Sequence, residues 1–186
     1  MSHQAEMTPA ESNRWPDLPL AEWADSYETL HRWTQIVGKT RLRFAPMQNH
    51  WWQTTLYLTS QGLGTSPIPA DGRSFEVEFD FIDHRLVVRT SEGEERAMQL
   101  RAQPVADFYQ EYLATLGSLG IRPRIWPVPR ELPDTLRFDE DRVHASYDPD
   151  AVHRVGRALA EAERVLKIFR GLFLGKSSPS HFWWGS

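Results

Sequence analysis

The sequence predicts an α+β domain, an antiparallel β-sheet with three main helices packed on it. Three observations predict it. Phe75, Val77, Phe79 and Phe81 alternate with Glu76, Glu78 and Asp80, the period of a strand with one wet face. Turn sequences around residues 82–85 and 91–94 follow at once, so the neighbouring strands return antiparallel. Three other stretches carry apolar residues at spacings of three and four, the period of an amphipathic helix. A chain of 186 residues, 40% hydrophobic and 25% charged, suits one well-buried domain and not comfortably two.

In chain order, residues 1–17 are polar and aperiodic and predict an N-terminal disordered arm, leaving 18–186 as a single α+β domain. Leu18 and Pro19 open the first helix, since proline suits a first turn. Its stripe is Leu20, Trp23, Tyr27, Leu30, Thr34 and Val37, and Gly38 is the expected stop. Lys39, Arg41 and Arg43 alternate with Thr40, Leu42 and Phe44 and read as the solvent face of a strand ended by Pro46. Trp52, Thr54, Leu56 and Leu58 are expected on one face of the next strand. Three glycines and two prolines in 62–72 predict a loop. The 75–81 strand then leads by its two turns into strands over 86–90 and 97–101. Pro104 opens a second helix carrying Val105, Phe108, Tyr109, Tyr112, Leu113 and Leu116, which fades at Gly117 and Gly120. Residues 124–126 are a short strand candidate before the proline-rich connector 127–133. Asp148 followed by Pro149 is an N-cap carboxylate with proline at the first position. It predicts a third helix with Val152, Val155, Leu159, Leu166, Phe169 and Phe173 inward, ended by Gly175, and a last aromatic strand over 181–184.

Composition removes several functions. Net charge is −4, and the arginines are interspersed with acids, which argues against a nucleic-acid partner. With no cysteine there is no thiolate zinc site, no disulfide and no Cys nucleophile. The start lacks an apolar signal core and no stretch is apolar enough to span a bilayer, so the expected location is cytoplasmic with no membrane partner. A Gly-x-Ser-x-Gly elbow is absent, and 62–66 is glycine-rich without the lysine of a P-loop. The histidines show neither His-x-x-x-His nor His-x-His spacing, so no metal ligands are assigned. The acidic run from Phe138 to His144 reads as a solvated loop rather than a cation site.

Three clusters remain: Asn49, His50, Trp51, Trp52; His144, Ala145, Ser146, Tyr147, Asp148; and His181, Phe182, Trp183, Trp184. Each joins large aromatic surface to a ring that titrates near neutrality, a combination that lines small-molecule pockets and also fills cores. One reading is an enzyme or ligand-binding protein with a His- and Trp-lined cleft between the first helix and the sheet. His31, His50, His144 and His181 are then the candidate catalytic residues, and Lys39, Trp52 and Trp184 the candidate ligand-binding residues. Its partner is a small-molecule ligand; no cofactor or oligomeric state is implied. The alternative is a non-catalytic protein-interaction or structural module whose aromatic and histidine clusters are core. The first reading expects three of the four histidines at one cavity.

Leu18-Pro19-Leu20 with Glu22-Trp23, the run from Trp33 to Lys39, Asn49 to Trp52, Thr65 to Pro69, Phe79 to His84, His144 to Asp148 and His181 to Ser186 together resemble an uncharacterised bacterial family, the domain of unknown function DUF5996. The likeness covers nearly everything from Leu18 onward and brings no activity, cofactor or catalytic residue with it. Members of that family extend past the Trp-Gly-Ser block. The resemblance, and an aromatic strand at the very end, imply a chain that is incomplete at its C-terminus.

Overall fold

The computed structural model describes residues 14–185; most of the expected N-terminal arm lies outside the described residues. The fold is α+β. Three helices, α1 (Leu20–Phe44), α2 (Val105–Ser118) and α3 (Pro149–Gly171), accompany six strands. These are β1 (Tyr57–Leu58), β2 (Gly62–Gly64), β3 (Ile68–Ala70), β4 (Arg73–Asp80), β5 (Arg85–Thr90) and β6 (Glu95–Gln99). Every pairing is antiparallel, in the order β1-β2-β4-β5-β6, with β3 beside β4.

β4 is the spine. Its alternating Phe75, Val77 and Phe79 face the core opposite Thr90, Val88 and Leu86 of β5. On the reverse face Arg89 pairs with Glu78 at 2.8 Å and with Glu95 at 2.9 Å, across three neighbouring strands. The expected 62–72 loop instead contributes β2 and β3, which lie end to end along one edge of β4. Its glycines and prolines mark a strand interrupted by a turn, not an absence of pairing. At 124–126 the chain is not in a strand, and 181–184 supplies only a bridge between Phe182 and Leu56.

α1 differs most from expectation. It runs through Gly38 to Phe44, and the 39–43 stretch read as a strand is its last turns. Nearly every residue from Thr29 to Arg41 is buried, because the helix is sandwiched between the sheet and the segment that follows α2. Several polar groups there reach partners outside the helix, as burial favours. Arg41 donates to the Thr55 carbonyl, Thr40 accepts from the Tyr112 hydroxyl at 3.0 Å, and Lys39 donates to two carbonyls of the connector. Trp33, fully buried, stacks on Phe108 of α2 at 4.5 Å and on Tyr147 at 5.5 Å.

Gly38 is needed mid-helix for space. A Cβ at this position would fall inside the indole of Trp184, which lies flat against the helix backbone. α3 starts where expected, with the Asp148 carboxylate accepting from the Ala151 N–H at 3.1 Å. Its far end differs: Leu166, Phe169 and Phe173, expected inward, are exposed, and the helix ends at Gly171.

The sign of one substitution tests the Trp184 seat. In an open helix Gly38→Ala would stabilise by about 1 kcal/mol through propensity. Against Trp184 it should destabilise by about 1–3 kcal/mol through overpacking, lowering the thermal midpoint by roughly 3–10 °C. A raised midpoint would mean that the indole is elsewhere.

Candidate functional site

The cleft is built on Trp184. Its indole Nε1 donates to the Thr54 carbonyl at 2.5 Å, and its own carbonyl accepts from His31 Nε2 at 2.9 Å. Phe182 bridges Leu56 through two backbone hydrogen bonds of 2.7 and 3.0 Å. Segment 182–185 is thus laid along α1, held at one end by the entry to β1 and at the other by the helix. The kinked 3₁₀ segment Asn49–Thr54 precedes that entry, with left-handed backbone at His50 (φ 55°) and Trp51 (φ 60°).

Beside the same stretch of α1 the connector is fixed by two side chains. Gln35 clamps the Arg130 backbone, donating to its carbonyl at 2.7 Å and accepting from its N–H at 2.9 Å. Lys39 Nζ donates to the carbonyls of Val128 at 2.6 Å and Trp126 at 3.1 Å, and sits 5.5 Å from the centre of the Phe138 ring. Desolvation by burial, then the nearby Arg130 charge, lower the Lys39 pKa from 10.5 to about 8.

Two cavities result, with Trp183, Trp184 and Gly185 as their shared wall. The first, of about 390 Å³, is bordered by Lys39, Arg130 and the indoles of Trp51, Trp126, Trp183 and Trp184. The second, of about 410 Å³, is bordered by Trp23, Tyr27, His31, Phe81 and Glu131 among others. Trp23 and Tyr27, expected in the core stripe, line this cavity instead. Because His31 Nε2 faces a carbonyl it carries the proton, so Nδ1 is a lone pair in the neutral ring. That Nδ1 and the Trp23 Nε1 are buried with no hydrogen-bond partner among the described residues.

Of the candidate residues, His31, Lys39 and Trp184 come together around Gly38. His50, Trp52 and His181 form a separate chain of rings: His50 lies 5.4 Å from Trp52, and His181 lies 6.4 Å from Trp52 and 5.5 Å from Trp183. These three line neither cavity, though Trp183 joins their chain to both. His144 stands apart. Its Nδ1 donates to Asp141 at 2.8 Å, and Asp141 is fully buried beside the equally buried Arg32 at 3.4 Å. Asp141 also accepts from the N–H groups of Val143 and His144, so the acidic run is a tightly bonded turn and not a solvated loop. Sharing of one cavity by three histidines is therefore not what the fold produces. Among the described residues, no group of three His, Asp or Glu is arranged to hold a metal ion.

The sequence placed Trp51 and Trp183 in its aromatic clusters without singling them out as binding residues, and gave no role to Trp126 or Arg130. Trp126 and Arg130 flank the run Pro127-Val128-Pro129, a stiff extended segment that presents its carbonyls to a neighbour. That was their only local signal.

An α+β protein with an indole-walled cleft beside a buried lysine is the class that fold and site define. The chain belongs to the family of unknown function DUF5996, which it matches over residues 15–186. No curated protein and no solved structure matches it. No helix among the described residues is long and apolar enough to cross a membrane.

The lowered Lys39 pKa has a direct readout. The folded state sheds this proton before the unfolded chain does, so stability from this site rises as pH climbs from about 8 toward 10.5. In a 13C-lysine NMR titration one Cε resonance, absent from Lys39→Arg, should move with a midpoint near 8. Every lysine moving near the free value of about 10.4 would place the amine in water.

Proposed function

We propose that the protein binds a small molecule in the paired cavities on either side of Trp183, Trp184 and Gly185. The observation that carries this reading is the convergence of four indoles and a buried amine on one hollow of about 390 Å³, within the size range of ligand sites. A core would have closed over these rings; instead Trp51, Trp126 and Trp183 stand 54%, 64% and 42% exposed. The second cavity adds an acceptor, His31 Nδ1, and a donor, Trp23 Nε1, both lacking a partner. Such unpaired buried groups cost stability unless something satisfies them. In this reading His31, Lys39 and Trp184 are binding residues. His31 is also the best-placed base should the site prove catalytic, and His50, Trp52 and His181 form the approach beside Trp183. His144 serves the turn that covers α1.

A second reading, a protein-interaction module, is favoured by one observation. Ile168 and Phe169 in the last turn of α3, with Leu172 and Leu174 just past it, are 59–101% exposed, and exposed apolar side chains close together mark interaction sites.

Ligand-observed NMR against a library of aromatic and heteroaromatic compounds tests the cleft. Hits should quench or shift tryptophan fluorescence. Trp183→Ala and Trp51→Ala should each weaken them roughly tenfold or more, the value of about 1–3 kcal/mol for one stacking ring. Both rings are partly exposed, so the fold should survive. Hits indifferent to both substitutions would remove the cleft from consideration.

A further inference from the structure

We infer that the cavity between Lys39, Arg130 and the four tryptophans selects a planar aromatic ligand bearing a negative charge, an aryl or heteroaryl carboxylate. The inference rests on the proposed cleft and adds the ligand's chemistry to it.

Shape and charge each contribute. Indole faces that are accessible on one side accept flat rings by offset stacking. Taken alone, four indoles would also suit an organic cation, since ring faces are electron-rich and cages of this kind hold ammonium groups. The charges decide between the two. Lys39 and Arg130 both border the cavity, and no Asp or Glu is among the residues lining it. A cationic ligand would meet two like charges in a partly desolvated site, where screening by water is weak. An anion would relieve the mutual repulsion of the two cations.

Lys39 is also held in position to do this. Two of its three N–H groups are spent on the carbonyls of Trp126 and Val128, which fixes the ammonium at the wall and leaves one donor. The residue is only 6% exposed, so its stem cannot swing the charge into bulk water. Its lowered pKa reflects the same facts, a buried amine beside Arg130. Arg130 has its backbone locked by Gln35, so its planar guanidinium starts from a fixed point at the cavity edge and presents the fork that carboxylates accept in pairs. The acid of the neighbourhood, Glu131, borders the other cavity, beyond the Trp183 and Trp184 wall. The two hollows therefore differ in charge although they share a wall: the first is lined by Lys39 and Arg130, while the charged group lining the second is the Glu131 carboxylate.

Three probes of one shape separate the possibilities: 2-naphthoate, 2-naphthylmethanol and 2-naphthylmethylammonium, titrated at pH 7 and low salt by tryptophan fluorescence and calorimetry. The carboxylate should bind at least tenfold more tightly than the alcohol, and the ammonium should bind most weakly. Arg130→Gln should shrink the carboxylate's advantage to threefold or less, and so should raising the salt to 0.5 M. Arg130 is exposed, so its replacement leaves the packing in place. Equal binding of all three, lost in Trp183→Ala, would overturn the charge preference and leave the cleft standing. Tighter binding of the ammonium would do the same. Failure of all three probes to bind would overturn both this inference and the reading on which it rests.

Discussion

The seating of Trp184 on Gly38 is the contact on which the remaining architecture of the site depends. Burying an indole removes roughly 200 Å² from water, worth about 5 kcal/mol, and here that surface is spent on a segment with almost no ladder bonding of its own. Trp184 and its neighbour tie this segment to α1 at two points, to the 3₁₀ segment and to the start of the sheet. Its face lies on α1, its N–H holds the end of the 3₁₀ segment through Thr54, its carbonyl is held by His31, and its neighbour Phe182 pairs with the start of the sheet. Remove the notch at 38 and the indole cannot approach. The wall shared by both cavities would go with it. Here packing and site geometry are the same fact.

A second constraint holds the opposite wall. Arg32 is fully buried and reaches Glu28 at 2.6 Å, Asp134 at 2.5 Å and Asp141 at 3.4 Å. A buried ion pair is poor evidence of stability, because desolvation offsets much of the attraction, but losing one partner leaves a stranded charge at a cost of about 3–5 kcal/mol. The network therefore specifies where 134–144 must lie rather than adding greatly to stability. With Gln35 and Lys39 it makes α1 a three-point mount, at 32, 35 and 39, for everything between the connector and His144. The helix earns its burial through polar bonds to irregular backbone.

That mode of burial explains which parts of the protein were legible in its sequence. The β4–β6 meander could be read because half-wet strands alternate, and Phe75 to Phe81 alternate without a fault. α3 could be read from its cap, since Asp148 followed by Pro149 has a local mechanism. The continuation of α1 could not. Lys39, Arg41 and Arg43 between Thr40, Leu42 and Phe44 have the two-residue period of a strand, and nothing local reveals that carbonyls of distant loops receive the first two. Gly38 pointed the wrong way for the same reason, as its purpose is a ring 146 positions later. Within the site, His31, Lys39 and Trp184 were legible as residue types near the helix. Arg130 and Trp126 were not, because their place is set by Gln35 and Lys39 and not by their own neighbours. His144 was legible as a histidine beside aromatics, but its partner Asp141 draws it into the turn.

The 49–54 segment supplies the last step. Two consecutive non-glycine residues, His50 and Trp51, hold left-handed backbone, a conformation costing on the order of 1–3 kcal/mol per residue. Core packing cannot be the compensation, for both side chains are exposed. Local bonds repay part of the cost: the Trp51 N–H donates to the Gln48 carbonyl at 3.1 Å, the Thr54 hydroxyl donates to the Trp51 carbonyl at 2.9 Å, and the Gln53 side chain accepts from the Gln48 N–H at 2.9 Å. These bonds close the turn, yet an ordinary turn with glycine at 50 or 51 would close it with less strain. What the strained version keeps, and a glycine at 51 would not, is an indole at the rim of the first cavity. Strain retained at an exposed aromatic beside a hollow weighs toward binding, because stability alone favours its removal.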